Sequence, residues 1–589
     1  MFSRLCTLIT LLVLTGCNST INSTKIDKKK TLDTNHGVVG VQVINNNDEL
    51  ARLHKGWTEV IVVRMDNFDK KKQQAFELAK SKAKSNAVID EDKVKWEPDF
   101  YTLEPTLEGV IDSQIFIGSM PQGTYMISSL YSVYNGSDIT SWLSMPVNSA
   151  TGLFDVKQGK LTNLGTVVFQ PLLNIKEPSF WNTTSSQKAY VTRIDEQKKL
   201  DKYVLSNYPK LAESIDLSEI LGWNEDNLSG LRQSLSELSR QNAYGNTAIA
   251  LKQHGQRAIA AKFGQLRWQD KQGQWQQINL DTNGQLAAVL EMDNQVAIAG
   301  ERGQMFVADN FSSTWTALDK VSPQEAIIWF GKGKQYYAMT QTLNQYHFYQ
   351  FSNLESDWAR LRSFERKTNN FWVVNGKLFP FVTKTGELSV INDNKRYQYN
   401  SQTQSWTEYK TDSLAALAQL DTGDLVALEV SQWDGVGNQV ISQDSGETWT
   451  SINRHLSGKD GIADNGLPVI LDDGTVITLG RPSQRGKSTG ELKIISTDLA
   501  KASNKANWDF HADAKEGCYT LLPQISRNDS LYFLCDRGDI AYTTDLGKTW
   551  EYVVDLDIAE MQARYEQMIQ AIKAEHEAQQ AASASANQL

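Results

Sequence analysis

The chain has 589 residues, 40% of them hydrophobic, and its 59 basic and 69 acidic residues give a formal net charge of −10. This is the composition of a globular protein; it excludes wholesale disorder, and it lacks the basic excess typical of nucleic-acid binders. No apolar run beyond the first residues approaches the roughly 18 residues that a spanning helix needs, so we expect neither an integral membrane protein nor a nucleic-acid partner.

The N-terminal segment 1–16 has the form of a secretory signal peptide, because Arg4 precedes the short apolar run Leu5–Leu14. The run ends in Leu-Thr-Gly-Cys, which resembles the lipobox of bacterial lipoproteins, with the cysteine at Cys17. The resemblance implies cleavage before Cys17, acylation of that residue (palmitate among the acyl chains) and attachment to a membrane through the N-terminal lipid. An ordinary signal peptide with an incidental cysteine is the alternative.

The residues after the lipobox indicate to which membrane the protein would be sorted. Asn18 follows the cysteine where Asp would favour retention in the inner membrane, so the resemblance implies an outer-membrane lipoprotein of a Gram-negative bacterium. Residues 17–35 are polar and rich in lysine, without periodicity. We therefore predict a flexible tether there.

Residues 36–173 are predicted to form a small β-sandwich domain. Its Gly- and Pro-containing turns lead into strand-length apolar runs and resemble the prealbumin-like sandwiches of bacterial surface proteins. The predicted strands are Val38–Val43, Glu59–Val63, Gly109–Phe116, Tyr125–Val133 and Val167–Gln170. A Lys-rich helix is expected within Asp69–Ser85.

Residues 190–244 change to a helical period. Leucine and other apolar residues recur there at mostly helical spacings, and Pro209 and Gly222 interrupt them. We predict a helical linker made of short helices.

Residues 246–556 contain a repeat that decides the fold class. Tryptophans recur at blade-length intervals, at Trp275, Trp315, Trp358, Trp406, Trp449, Trp508 and Trp550. Between them lie short apolar runs separated by Gly- and Asp-containing turns. Seven units of four strands predict a mainly β protein built on a seven-bladed β-propeller, because one blade alone cannot bury both of its faces.

Two of the turns before these tryptophans match the bacterial neuraminidase repeat, or Asp-box, S-x-D-x-G-x-T-W. The matching residues are Ser442, Asp444, Gly446, Thr448 and Trp449 in one copy, and Asp545, Gly547, Thr549 and Trp550 in the other. We expect the Asp to accept backbone N–H groups, the Gly to take a positive φ and the Trp to pack between blades. The resemblance is to sialidases and also to non-enzymatic proteins similar to the photosystem II stability factor, and it implies structural roles for these residues.

The end of the chain, 557–589, carries a helical apolar stripe and an Ala/Ser/Gln tail, and is predicted to be a helix docked on its own domain.

Cys518 and Cys535 fall on two predicted neighbouring strands, which favours a disulfide over two free thiols in an oxidising compartment. No metal site is expected, because two cysteines without suitably spaced histidines make a poor zinc site.

Catalytic motifs give little support to an enzyme. A sialidase needs an arginine triad that begins in [FY]-R-[IL]-P, and the nearest match, around Arg193, lacks the aromatic residue and the proline. The loop Gly480–Ser488 has one residue too many for a phosphate-binding loop and joins two strands, so we expect no nucleotide and no other cofactor.

The loops between second and third strands, and those between blades, define the expected ligand face. Long loops on a rigid scaffold commonly carry binding residues, and the candidates here are Arg302, Trp433, Asp434, Arg454, Arg481, Arg485 and Arg537. The sequence therefore predicts a lipid-anchored envelope protein that binds or scaffolds a protein or a glycan through this face. The alternative is an extracytoplasmic, sialidase-like glycosidase with a divergent active site.

Overall fold

The computed structural model describes most of the chain, in two compact units. The described residues are 21–45, 56–83, 89–106, 111, 113–135, 140–171, 189–195, 200–241, 249–253, 256–318, 325–342, 344–366, 378–430, 437–453, 461–463, 466–484, 487–488, 490–502, 508–535 and 538–586. The first unit combines residues 1–107, 112–241 and 557–589, and the second combines 108–111 with 242–556. The second unit therefore interrupts the first in sequence.

The first unit is built on one large curled sheet. Its strands are β1 (Ile21–Ser23), β2 (His36–Asn45), β3 (Glu59–Arg64), β4 (Phe100–Thr106), β5 (Ser113–Pro121), β6 (Gly123–Asn135), β7 (Thr140–Pro146), β8 (Leu153–Val156), β9 (Lys160–Pro171), β10 (Ala189–Ile194) and β11 (Asp216–Leu221). The main strand order is β10-β9-β2-β5-β4-β3-β6-β7, and β1 pairs with β4, β11 with β9 and β8 with β6.

Strand β4 joins the two halves of this sheet, in the region where the sequence predicts a small β-sandwich. Its first half, Phe100–Leu103, pairs with β3, and its second half, Glu104–Thr106, pairs with β5. The two halves of the sheet thus face each other across a shared core, in which Val41 from β2 packs with residues such as Val62 from β3. Alternate residues of a strand, such as Val39, Val41 and Val43 of β2, face this core.

The helices of the first unit lie among or after these strands. They are α1 (Phe68–Lys82), α2 (Asn148–Thr151), α3 (Leu200–Asn207), α4 (Pro209–Ala212), α5 (Ser229–Gln241) and α6 (Ile558–Ala586). Helix α6 packs through Met561 and Tyr565 against Leu238 of α5. The predicted C-terminal helix is therefore present, and it docks on the first unit. No described helix has the length and apolarity to cross a membrane.

Two segments of the first unit differ from their predicted structure. Within the predicted tether, Ile21–Ser23 forms β1, parallel to β4, and the buried hydroxyl of Thr24 donates to the carbonyl oxygen of Thr102 at 2.5 Å. Within the predicted helical linker, Asp216–Leu221 is strand β11 and pairs with β9. In both cases pairing with a distant strand overrides weak local patterning.

The second unit consists of seven antiparallel sheets of four main strands each, as the tryptophan repeat predicts. Blades 1 to 4 are β12–β15 (Ile249–Gln253, Gln256–Ala260, Gln265–Gln269, Trp275–Asn279), β16–β19 (Leu286–Glu291, Val296–Gly300, Met305–Ala308, Thr316–Ala317), β20–β23 (Ala326–Lys332, Tyr336–Gln341, Gln345–Phe351, Ala359–Glu365) and β24–β27 (Leu378–Val382, Leu388–Asn392, Lys395–Asn400, Ser405–Lys410). Blade 5 is β28–β31 (Leu414–Gln419, Leu425–Glu429, Gln439–Ser442, Thr450–Asn453) and blade 7 is β38–β41 (Cys518–Leu521, Leu531–Cys535, Ile540–Thr543, Glu551–Val554).

Blade 6 is less regular than the other six. Its strands are β32 (Gly461–Ala463), β33 (Val469–Ile470), β34 (Thr475–Gln484), β35 (Lys487–Ser488), β36 (Lys493–Asp498) and β37 (Asp509–Asp513). Two short strands, β32 and β33, pair with different parts of β34. They replace the single inner strand of the other blades.

The repeated tryptophans lie at or just before the fourth strand of every blade, and those of blades 2 to 7 contribute to the apolar clusters between blades. Trp449 joins a cluster formed by blades 4 and 5, and Trp550 joins one formed by blades 6 and 7, where it meets Phe533 edge-on at 5.1 Å. An indole at this position fills the space that opens between twisted neighbouring sheets. This accounts for the regular spacing in the sequence.

The predicted disulfide is present in blade 7. Cys518 at the start of β38 pairs directly with Cys535 at the end of β39, and their sulfur atoms are bonded. Both residues are buried in the cluster between blades 6 and 7. The bond closes a loop of 17 residues in sequence.

We expect the double substitution Cys518→Ala, Cys535→Ala to lower the free energy of unfolding of the propeller by about 2–3 kcal/mol, because closing a loop of this length restricts the unfolded chain. Denaturant unfolding monitored by tryptophan fluorescence measures the change. The parent protein treated with a reductant under the same conditions is the control and should show a similar loss. An unchanged unfolding midpoint in the double variant would contradict the expectation.

Candidate functional site

The antiparallel order of strands in each blade gives the propeller two distinct faces. The hairpins between first and second strands and between third and fourth strands lie at one end, which we call the hairpin face. The loops between second and third strands, and the connections between blades, lie at the other end, which we call the mouth face. The first strands of blades 1 to 4 contact one another in turn, so the first strands surround the central axis.

In the turn between β30 and β31, on the hairpin face, polar side chains form hydrogen bonds within the turn itself. Asp444 accepts the backbone N–H of Glu447 at 3.0 Å and that of Thr448 at 2.9 Å, and Ser442 donates to the same carboxylate at 2.8 Å. Gly446 has a φ of 81°, in the left-handed region that glycine adopts without a steric cost. The turn is therefore capped by its own side chains.

The turn between β40 and β41 repeats this geometry. Asp545 accepts the backbone N–H of Thr549 at 2.9 Å and its hydroxyl at 2.8 Å, and Gly547 has a φ of 91°. These hydrogen bonds lower the pKa of Asp545 to about 2. Because both carboxylates are already used inside their turns, neither is available as a catalytic acid or base.

Asp444 lies on the surface, which limits the stability it can supply. Burial alone would raise its pKa, but hydrogen bonds from Thr448, Ser442 and Glu447 outweigh burial and lower the pKa to about 2. Because the folded-state pKa is depressed, the contribution is present above the unfolded value of about 4 and is lost as the pH falls through about 2.

We therefore expect Asp444→Ala to lower the free energy of unfolding by about 1 kcal/mol near neutral pH, the effect of lost hydrogen bonds on an exposed group. The difference from the parent should shrink as the pH falls from about 4 to about 2. Thermal melts across this pH range measure it, with Lys548→Ala in the corresponding turn of blade 7 as the control that changes nothing. A difference independent of pH would show that the carboxylate charge is not involved.

On the mouth face, several close contacts hold the turn that follows β17 of blade 2. The backbone N–H of Glu301 donates to the carbonyl oxygen of Gln285 at 3.1 Å, and a Cβ atom at Gly300 would lie only 1.9 Å from that oxygen. The buried carboxylate of Glu301 accepts the backbone N–H of Ile111, of the same unit, at 2.9 Å. These contacts fix the turn in which the candidate Arg302 lies.

Arg302 adopts a left-handed backbone, with φ 58° and ψ 27°, in the turn Glu301–Gly303. Few residues other than glycine take this conformation, and Ser445 and Leu546 take it in the hairpin-face turns as well. The side chain is half-buried on the mouth face, as its loop position predicts.

Arg481 also lies on the mouth face, but on a strand where a loop was expected. The last residue pair between β34 and β36 is Gly480 with Lys493. Strand β34 continues beyond this pair, and Arg481 pairs there with Ala463 of β32. The strand then turns back through the pair Gln484–Lys487. Arg302 and Arg481 belong to blades 2 and 6, so they form separate parts of this face.

The remaining candidate ligand-face residues lie outside the described residues. They are Trp433, Asp434, Arg454, Arg485 and Arg537. The lipidation candidate Cys17 also lies outside them.

The structure adds a feature that the sequence did not reveal. Four innermost strands carry a β-bulge close to their first residue pair: it follows the first pair in blades 2, 5 and 7 and the second pair in blade 3. The bulged residues are Ala287 in blade 2, Ile328 in blade 3, Ala415 in blade 5 and Tyr519 in blade 7. Because each first strand begins at the mouth face, all four lie at the entrance to the central channel.

The described residues give no support to the metal or sialidase chemistry considered above. Among them, no group of three His, Cys, Asp or Glu side chains is placed to hold a metal ion. Arg193 lies in the first unit on β10, where its Nη2 donates to Asp195 at 3.0 Å and its guanidinium lies 4.8 Å from the ring of Trp223. At 2% exposed, it is a buried structural arginine.

Comparisons with known proteins yield structural similarity alone. No protein family matches the chain, and no curated protein is similar to it. Among solved structures, YCF48 bound to D1 peptide is 16% identical over 52% of this chain and 94% of its own, with a TM-score of 0.34. Virginiamycin B lyase from Staphylococcus aureus is 13% identical over 51% and 94%, with a TM-score of 0.33. YCF48 from Cyanidioschyzon merolae is 13% identical over 50% and 95%, with a TM-score of 0.35.

These similarities are too remote to carry a function across to this chain. What the chain's own structure establishes is a mainly β protein: a curled sheet with a C-terminal helix, and a seven-bladed propeller.

Proposed function

We propose that the chain is a lipid-anchored binding protein of the bacterial cell envelope, which recognises a protein partner through the mouth face of its propeller. The observation that carries the proposal is the difference between the two faces. On the hairpin face the carboxylates of Asp444 and Asp545 are used inside their turns. On the mouth face Arg302 is half-buried in the loop between β17 and β18, and the innermost strands of four blades carry bulges near the channel entrance.

The hairpin-face turns fit the Asp-box pattern that the sequence shows, and in this proposal they stabilise the blades without contacting the ligand. Arginine offers a planar set of donors for carboxylates and stacks on aromatic rings, so Arg302 and Arg481 suit protein recognition. Membrane attachment through Cys17 belongs to the proposal on the strength of the lipobox resemblance.

A glycosidase with a divergent site is the second candidate, based on the Asp-box resemblance to sialidases. That reaction needs two carboxyl groups about 5–9.5 Å apart on either side of the scissile bond. The two Asp-box carboxylates cannot serve, because they lie on the hairpin face and are hydrogen-bonded within their turns.

Charge reversal on the two faces tests the binding proposal. Arg302→Glu and Arg481→Glu should each reduce retention of the native partner from envelope extracts, because they place a like charge opposite acidic partner groups. Lys548→Glu, an exposed change in the hairpin-face turn, is the matched control and should leave retention unchanged. Loss of retention with Lys548→Glu alone would contradict the assignment of the face.

A further inference from the structure

We propose that the end of the first unit at which strand β1 begins rests on the surface of a phospholipid bilayer. We call this part of the first unit the anchor end; it comprises Ile21, the start of β4 at Phe100 and the first turn of helix α1. This inference rests on the proposed function, because it names the surface that acyl chains on Cys17 would hold at the membrane.

The chain between Cys17 and the folded sheet is short. Strand β1 begins at Ile21, so only residues 18–20 separate it from the acylation candidate. An extended chain spans at most about 3.6 Å per residue, so Cys17 and Ile21 are at most about 14 Å apart. The headgroup layer of one leaflet takes up about 5–8 Å of this distance. Even a fully extended segment therefore leaves Ile21 less than about 10 Å above the headgroups.

Strand β1 is part of the first unit and does not lengthen the tether. It pairs in parallel with the first half of β4. The side-chain amide of Asn22 donates to the carbonyl oxygen of Phe100 at 3.0 Å, and the hydroxyl of Thr24, which is 2% exposed, donates to the carbonyl oxygen of Thr102 at 2.5 Å. Pulling the strand away would leave buried polar groups without partners, which is costly. The chain is thus fixed from Ile21 onward.

Helix α1 begins at the same end of the sheet. Asp99 directly precedes β4; its carboxylate accepts the side-chain amide of Asn67 at 2.7 Å and lies 2.6 Å from the Nζ of Lys71 in the first turn of the helix. Phe68, the first helical residue, meets the ring of Trp96 edge-on at 5.3 Å. The first turn of α1 is therefore held beside the start of β4, on which β1 begins.

The charges of the anchor end largely balance one another. Helix α1 contains five lysines, one Asp and one Glu, and the segment 89–99 contains five acidic residues and two lysines. The two are joined by the pairs of Lys71 with Asp99 and of Lys72 with Glu91. A basic surface would be drawn to anionic lipids, whereas here the short anchor and the exposed Ile21 account for the contact. We therefore expect it to be independent of lipid charge.

Fluorescence quenching in vesicles tests this inference. The lipidated full chain is reconstituted in phosphatidylcholine vesicles in which some headgroups carry a nitroxide quencher. A fluorophore is attached at Ile21→Cys or Lys70→Cys, and at Asn135→Cys as the matched control. Asn135 is exposed at the far end of β6, about 30 Å along that strand from Met126, which is level with the start of β4.

We expect the emission to fall by more than half at positions 21 and 70 and to stay unchanged at position 135, because a headgroup nitroxide quenches only at short range. Added phosphatidylglycerol should leave this pattern unchanged. Insertion of about twenty Gly and Ser residues after Ser19 lengthens the tether by about 25 Å and should restore the emission at position 21. Quenching that survives the insertion would contradict the role of the short anchor.

The outcomes separate this inference from the proposed function. If the parent does not associate with vesicles, or Cys17→Ser associates equally well, lipid anchoring is refuted and this inference falls with it. If association is lost in Cys17→Ser but quenching is equal at the three positions, or strongest at position 135, lipid anchoring stands and the assignment of the anchor end is overturned.

Discussion

Replacing Arg257 by methionine is expected to lower the free energy of unfolding of the propeller by about 3–4 kcal/mol, the largest loss of stability that we expect from a single substitution. Each blade consists of consecutive strands, so blades 1 and 7 share no strand and their junction depends on side-chain contacts. Arg257 on β13 of blade 1 makes several of them. Its Nε donates to the carbonyl oxygen of Ile525 at 2.7 Å, and its Nη2 lies 2.6 Å from Asp529, both in blade 7.

The environment of Arg257 sets the size of the effect. The arginine is 5% exposed and lies 5.2 Å from the ring centre of Tyr532, so its loss removes packing as well as charge. Asp529 has a side chain that is 65% exposed, which screens the ion pair. We therefore place the effect at the lower end of the range for breaking a buried pair.

Denaturant unfolding of the variant, followed by tryptophan fluorescence, measures the loss. Arg360→Met is the matched control, because the side chain of Arg360 is 52% exposed and its described hydrogen bonds go to Tyr349 and Glu325 of its own blade. Its effect should stay below about 1 kcal/mol. Equal losses from the two substitutions would show that the junction of blades 1 and 7 is not a special point of the ring.

Replacing Cys17 by serine is expected to abolish lipidation completely, because only a thiol can carry the thioether-linked diacylglycerol that the lipobox resemblance implies. The variant should lose palmitate labelling and move from the detergent phase to the aqueous phase on partitioning. Cys6→Ser is the matched control, since Cys6 would leave with the signal peptide, and its labelling should equal that of the parent. Unchanged labelling of the Cys17→Ser variant would refute the lipoprotein proposal.

The propeller could be predicted from the sequence because its key residue repeats. Each tryptophan occupies the same place at the fourth strand. The same residue type therefore recurs seven times along the chain, once in each blade. The disulfide between Cys518 and Cys535 could be predicted for a similar reason, since both cysteines belong to one hairpin of neighbouring strands.

The segments that were not predicted depend on long-range pairing. Ile21–Ser23 lies in a polar, Lys-rich stretch and becomes a strand only because β4, about 80 residues later, offers it a parallel edge. The run Asp216–Leu221 has apolar residues at spacings compatible with either a helix or a strand. It forms a strand because it pairs with β9. Local periodicity carries no information on such partners.

The candidate site likewise contains one residue whose position could be predicted from the sequence and one whose position could not. The position of Arg302 between two strands could be found from the repeat, because loops fall at fixed places within a blade. Tyr519 could not, because a bulge is defined by the register between two strands and leaves no mark in the sequence of either. The neighbouring Cys518 was the only sign of a special place on that strand.

Site-specific photocrosslinking in growing cells is the measurement that most directly tests whether the mouth face is the binding face. A photoreactive phenylalanine would be placed at position 302, 481 or 548, one position in each variant, and the adducts would be resolved by mass. We predict that positions 302 and 481 give the same partner adduct, and that position 548, on the hairpin face, gives none. Adducts from position 548 alone, or equally from all three positions, would contradict the account.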